Sequence, residues 1–144
     1  MQRITMSTVL VLSGALLLSG CASGGATSAA PADDTCTTTA SEVRDISNGV
    51  QNNLAAASDL DELDTYLDDA SARVQALIDD LGDDEKLQSA VEGFQESVAT
   101  ATDYAGTLPQ PDADGAIAQD PEALAEQQTS LQQASAKVSE VCAD

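Results

Sequence analysis

Histidine and tryptophan are absent from this chain, and its aromatic residues amount to Tyr66, Phe94 and Tyr104. Without histidine, the side chain that most often serves as a near-neutral general base or metal ligand is missing. Three aromatics are too few for a sugar-stacking platform, and at helical spacing they belong to a core or its boundary. Basic residues are scarce too: five Lys and Arg stand against 25 Asp and Glu, a formal charge of −20. Such a surface repels nucleic-acid phosphate and anionic headgroups alike, which sets nucleic acid aside as a partner. The apolar residues are mainly Ala, Leu and Val, and a core of these on so polar a chain suits packed helices better than a sheet. The 144 residues hold one domain.

The first 20 residues read as a signal peptide. Arg3 supplies a positive start, and Met6 to Leu18 an apolar stretch that Ser13-Gly14 interrupts and that is too short to span a bilayer comfortably. Directly against it stands Leu18-Ser19-Gly20-Cys21. This tetrapeptide resembles the lipobox of bacterial lipoproteins, a small, apolar-led tripeptide before an invariant cysteine. The resemblance covers the first 21 residues and says nothing of the mature fold. It implies that the Cys21 sulfur receives a diacylglyceryl group, that a dedicated peptidase cuts between Gly20 and Cys21, and that the new amino group is acylated. The competing reading is ordinary secretory cleavage after Ala22. At about 0.8 kcal/mol per buried methylene, two or three acyl chains hold a protein far more firmly than one. The implied location is the extracytoplasmic face of the cell membrane, or the outer membrane in a bacterium that has two. Cleavage removes Arg3 and leaves 25 acids against Arg44, Arg73, Lys86 and Lys137, a net −21.

Residues 21 to 35 then form a lipidated cysteine and a flexible tether of small polar residues, which would let an acidic domain stand off the bilayer. Its fourteen residues after Cys21 have a root-mean-square reach of roughly 20 Å. Residues 36 to 144 carry four amphipathic stretches. The first helix is expected from near Thr39, which has capping-box spacing to Glu42, with Val43, Ile46, Val50 and Leu54 as its apolar stripe. Asn48-Gly49 and Asn52-Asn53 lower its intrinsic propensity. In the second, Leu60, Leu63, Leu67, Ala70, Val74, Leu77 and Leu81 alternate at spacings of three and four, with Ser58 or Asp59 as cap and Gly82 at the terminating position. The seam slips in phase across Ala55 to Ser58, which favours a break between the two. The third opens at Asp83-Asp84-Glu85, runs through Leu87, Val91, Phe94, Val98, Ala101 and Ala105, and stops at Gly106 and Pro109. Its Gly93 either admits a close neighbour beside Phe94 or is tolerated drift. A loop at 107 to 119 leads to Asp120-Pro121-Glu122, a cap, a first-turn proline and a first-turn acid. The last stripe is Leu124, Leu131, Val138 and Val141, with Gln128 and Ala134 or Ser135 between them.

If lipid takes Cys21, two of the three cysteines remain, and an exported protein can oxidise Cys36 with Cys142. Bridged cysteines have Cα atoms within about 7 Å, so the start of the first helix must meet the end of the last. An up-and-down bundle does this only with an even number of helices. The expected fold is therefore all-α, an antiparallel four-helix bundle closed by one disulfide.

No catalytic residue, cofactor site or metal site emerges. Asp112, Asp114, Gly115 and Ile117 match four positions of an EF-hand calcium loop, but Gln110 and Pro121 stand where its end ligands belong. The function expected is that of a lipid-anchored, non-enzymatic envelope protein whose helical domain binds a protein or cell-wall partner. The second reading is a module for a small apolar ligand held between helices, or for a loosely bound cation.

Overall fold

The computed structural model describes residues 31–143, with side chains from Asp34 to Ala143. The signal peptide, the Leu18-Ser19-Gly20-Cys21 motif and most of the tether lie outside them. Four helices follow one another: α1 (Pro31–Ala55), α2 (Leu60–Asp80), α3 (Glu85–Gly106) and α4 (Pro121–Val141). Each packs on its neighbours in chain order, and α4 returns to α1. Across the middle α1 also touches α3, while α2 and α4 stand apart, so the cross-section is a rhombus rather than a square. At 1.5 Å per residue the helices are about 30–37 Å long.

The core is the set of stripes seen in the sequence. Val43, Ile46, Val50 and Leu54 of α1 meet Leu63, Leu67, Ala70 and Val74 of α2, with Leu87, Val91, Phe94 and Val98 of α3 beside them, all buried. Leu131 and Val138 are the buried apolar residues of α4. Ser135 rather than Ala134 takes the buried position between them, which makes this the most polar seam of the four.

Three helices start on an aspartate. The Asp59 carboxylate accepts from the amides of Asp61 (2.9 Å) and Glu62 (3.1 Å), Asp84 from Leu87 (3.0 Å), and Asp120 from Glu122 (2.9 Å) and Ala123 (3.1 Å). Each satisfies amides that have no partner within the helix. Gly82 takes a φ of 62° just past α2, as a terminating glycine should. Residues 56–59 separate α1 from α2.

Helix α1 departs from expectation at its start. It opens at Pro31, so Thr39 is an interior residue, 3% exposed, and forms no capping box with Glu42. Glu42 instead pairs with Arg73 of α2 at 3.1 Å. The five positions 31–35, assigned by composition to the tether, belong to the helix. Proline suits a first helical position, where its missing N–H is not needed, and the acid at 34 suits the positive end of the helix dipole. Burial of Thr39 and Ala40 holds these turns in place from above.

Two glycines inside helices, Gly49 of α1 and Gly93 of α3, exchange roles. A Cβ at Gly93 would meet nothing within 4 Å, so no neighbour approaches there. A Cβ at Gly49 would overlap the Tyr66 hydroxyl. Gly49 therefore lets the α2 phenol lie directly on the α1 backbone.

Candidate functional site

Cys36 and Cys142 are joined by a disulfide, Cα to Cα 5.4 Å, across a sequence separation of 106. It ties the second turn of α1 to the residue that ends α4. The bundle end it marks also carries the α2–α3 turn. The opposite end holds the α1–α2 turn and the 107–119 loop. Cys21 lies outside the described residues.

The 107–119 loop is held at both of its faces. Asp112 turns its carboxylate onto its own backbone, accepting from the amides of Asp114 and Ala116 at 2.9 Å each. Gly115 supplies the φ of 80° that this turn requires. The calcium-like spacing is thus an aspartate-capped turn, and among the described residues no group of three or more His, Cys, Asp or Glu is placed to hold a metal ion. At the end of the loop Gln119 donates from Nε2 to the Leu54 carbonyl (2.9 Å) and accepts from the Tyr104 hydroxyl (3.4 Å). One side chain so fastens the loop to the last turn of α1 and to α3. Burial, and secondarily the Asp120 carboxylate, raise the Tyr104 pKa above its ordinary value of 10.0.

Several depressions mark the surface, and their walls differ in kind. Two of them, about 620 and 640 Å³, are each lined by a single helix, one around Tyr66 on α2 with its cap Asp59 and one around Thr129 on α4. A dish on one helix converges on nothing. The second kind lies between two helices: a groove of about 370 Å³ between α1 and α4 and one of about 330 Å³ between the start of α1 and the end of α2, sizes at the low end of small-molecule sites.

Small side chains create the α1–α4 groove. Ser47 and Ser135, 2% and 8% exposed, form its floor where the other inter-helix seams place Leu or Val. Ser47 donates to the Leu131 carbonyl of α4 (3.4 Å) and accepts from Gln51 Nε2 (3.0 Å). Gln51 in turn receives Gln132 Nε2 at 2.8 Å. Ser135 Oγ has no hydrogen-bond partner among the described residues. Arg44 and Glu140 stand at the end of the groove nearer the disulfide. Arg44 makes no ion pair among the described residues, where Arg73–Glu42 is the one pair present.

The sequence reading singled out Cys36 and Cys142, which the fold joins, and Asp112 and Asp114, which it turns to local structure. It missed Arg44, Ser47, Asn48, Gln51, Gln132 and Ser135. Positions 44, 47, 48 and 51 on one helix and 132, 135 and 139 on the other do recur at helical spacing beside the apolar seam. That pattern alone describes a wet helix face; only the α1–α4 pairing makes it a groove. Compared with family models, curated proteins and solved structures, the chain matches none.

Proposed function

We propose that this chain is a lipid-anchored, non-enzymatic protein of the bacterial cell envelope, held through Cys21, whose acidic helical domain binds a protein or cell-wall partner. The observation that carries the reading is the fate of the cysteines. Cys36 and Cys142 are bridged, which accounts for two of the three cysteines and sets apart Cys21, at the position a lipobox modifies. A disulfide of this kind belongs to an oxidising, extracytoplasmic compartment, the same one that a lipoprotein signal serves. The sequence offers no histidine, so acid–base or nucleophilic chemistry would have to run without its commonest participant. The depressions among the described residues open onto the surface and none is an enclosed cavity between the helices, which suits recognition at a surface better than carriage of an apolar molecule within.

Fatty-acid labelling in cells tests the anchor. The wild-type chain is expected to incorporate labelled palmitate and to sediment with membranes, and Cys21→Ser to do neither. A Cys21→Ser chain that still takes up label, or a mature chain beginning after Ala22, would overturn it. Crosslinking in cells followed by pull-down tests the partner.

A further inference from the structure

We propose that the Cys36–Cys142 bridge is a redox-sensitive clamp on the start of α1. When a dithiol reduces it, residues 31–38 leave the helix while the bundle from Thr39 onward stays folded. The unwinding rests on the folded domain alone; its consequence, a longer link to the membrane, rests on the lipid anchor proposed for Cys21.

Three observations converge on these two turns. Asp34, Thr35, Thr37 and Thr38 are exposed, and the buried core begins at Thr39 and Ala40. Of residues 34–38, Cys36 is the one that packs against that core. The local sequence opposes a helix, because Thr35, Thr37 and Thr38 are β-branched and lose side-chain freedom against the preceding turn. Nor do the two turns close on the neighbouring helix. A groove of about 330 Å³ separates Asp34, Thr35 and Thr38 from Leu77, Asp80 and Leu81 at the end of α2. It has a carboxylate on each wall, so charge supplies no attraction across it. A helix end that buries so little frays at almost no cost in free energy. The covalent tie to α4 is therefore what fixes it.

That tie is within reach of a reductant, since Cys36 and Cys142 are both partly exposed. One thiolate of the dithiol attacks a bridge sulfur, the S–S bond breaks, and a mixed disulfide and one free thiolate are left on the chain. The second thiol of the reductant then displaces the remaining chain sulfur. The chain gains two electrons and two protons, as two thiols, and the reductant leaves as a disulfide. Leu131 and Val138 are fully buried and keep α4 in the core without the bridge, so the release is confined to the start of α1.

Nine residues, 22–30, link Cys21 to the oxidised domain, and seventeen, 22–38, link it to the reduced one. The fully extended reach rises from about 35 Å to about 60 Å. The bridge so holds the domain near the bilayer, and its reduction lets the domain range further into the envelope.

The test reads the mature, lipid-bearing chain in detergent micelles by NMR, before and after reduction with dithiothreitol. The 13Cα shifts of residues 34–38 are expected to move to unfolded-chain values, while the rest of α1 and the other three helices keep helical shifts. Two turns among four long helices barely move circular dichroism, so the change is read residue by residue. The Cys36→Ser/Cys142→Ser chain should show the same pattern with no reductant present. Helical shifts kept at 34–38 in that chain, or after complete reduction, overturn the proposal. So does loss of helical shifts throughout the bundle, and so does a bridge that yields to the reductant only once urea has unfolded the chain. On vesicles with a gadolinium-chelating headgroup, paramagnetic broadening at residues 81–84 should weaken on reduction; unchanged broadening beside unwound shifts overturns the lengthened link. Failure of lipidation at Cys21 shows instead as a chain that does not bind vesicles at all, with the unwinding still read in solution.

Discussion

At position 93 a methyl group would meet nothing within 4 Å, and the residue sits in the middle of α3. Glycine there costs helix propensity without serving a contact. Gly93→Ala is expected to stabilise the fold by about 0.4–1 kcal/mol, read as a higher urea midpoint with unchanged slope. Position 49 is the contrary case, because its missing side chain makes room for the Tyr66 hydroxyl. Gly49→Ala should forfeit the propensity gain by displacing that phenol, and Tyr66→Ala in the same chain should recover it. The two changes are therefore coupled. A double-mutant cycle that is additive to within about 0.3 kcal/mol would show that the hydroxyl does not press on Gly49. Ser135 belongs beside these residues: the sequence shows a serine or its alanine neighbour in an apolar seam, and the fold selects the serine for burial. Neither the glycine exchange nor this choice is legible locally, because each depends on which helix stands opposite.

At the scale of the element, α2, α3 and α4 are legible because their signals are close at hand. Asp59, Asp84 and Asp120 each stand immediately before an apolar repeat, and Gly82, or Gly106 with Pro109, follows its end. The start of α1 is not legible, since Thr37-Thr38-Thr39 is poor helix sequence and the turns there are held by packing and by a cysteine 106 residues away. The groove is hidden for the same reason, its two walls being 80–90 residues apart in the chain. Another long-range tie, the bond chain from Tyr104 through Gln119 to Leu54, makes a pH-dependent expectation. Burial first, and Asp120 second, hold Tyr104 neutral and raise its pKa above 10.0. The folded chain keeps this proton where the unfolded chain releases it. The contribution to stability is thus fully present below pH 10 and is lost as pH rises through the raised folded value. Urea unfolding measured in steps across that range should show a shallower alkaline decline for Tyr104→Phe than for the wild type. Asp120→Asn keeps a good helix cap and removes the smaller cause, so it should lower the tyrosinate transition, followed by ultraviolet absorbance, by only part of the shift. A Tyr104 transition at or below pH 10 in the wild type would defeat this account.

The whole molecule is a bundle with a modest Ala, Leu and Val core, one long covalent closure and one end nearest its proposed anchor. The closure matters in proportion to the chain it encloses. For a loop of about 100 residues the entropy model allows up to about 4.7 kcal/mol. Reduction, or the Cys36→Ser/Cys142→Ser pair, should lower the melting temperature sharply while leaving helical circular dichroism intact in the cold. If Cys21 carries lipid as proposed, the anchor also limits orientation. Because α1 opens at Pro31 rather than near Thr39, only residues 22–30 separate it from Cys21, and ten Cα steps reach at most about 35 Å. With helices about 30–37 Å long, a bundle anchored in that way is expected to stand with the disulfide and the α2–α3 turn towards the bilayer and the 107–119 loop away from it. The end of the disulfide carries Asp79, Asp80, Asp83, Asp84 and Glu85, whose charge would keep it from settling onto anionic headgroups. On this reading the α1–α4 groove runs up the side of a standing bundle, its Arg44 end lower than its Gln51 end. Lipid vesicles bearing a gadolinium-chelating headgroup measure the arrangement without new cysteines. Paramagnetic broadening of the lipidated chain should be strongest for the amides of Leu81–Asp84 and weakest for Ala113–Ala116, and should fall off along each helix between them. Equal broadening at both ends would mean that the bundle lies flat, and the reverse gradient that residues 22–30 do not lead from the membrane into α1.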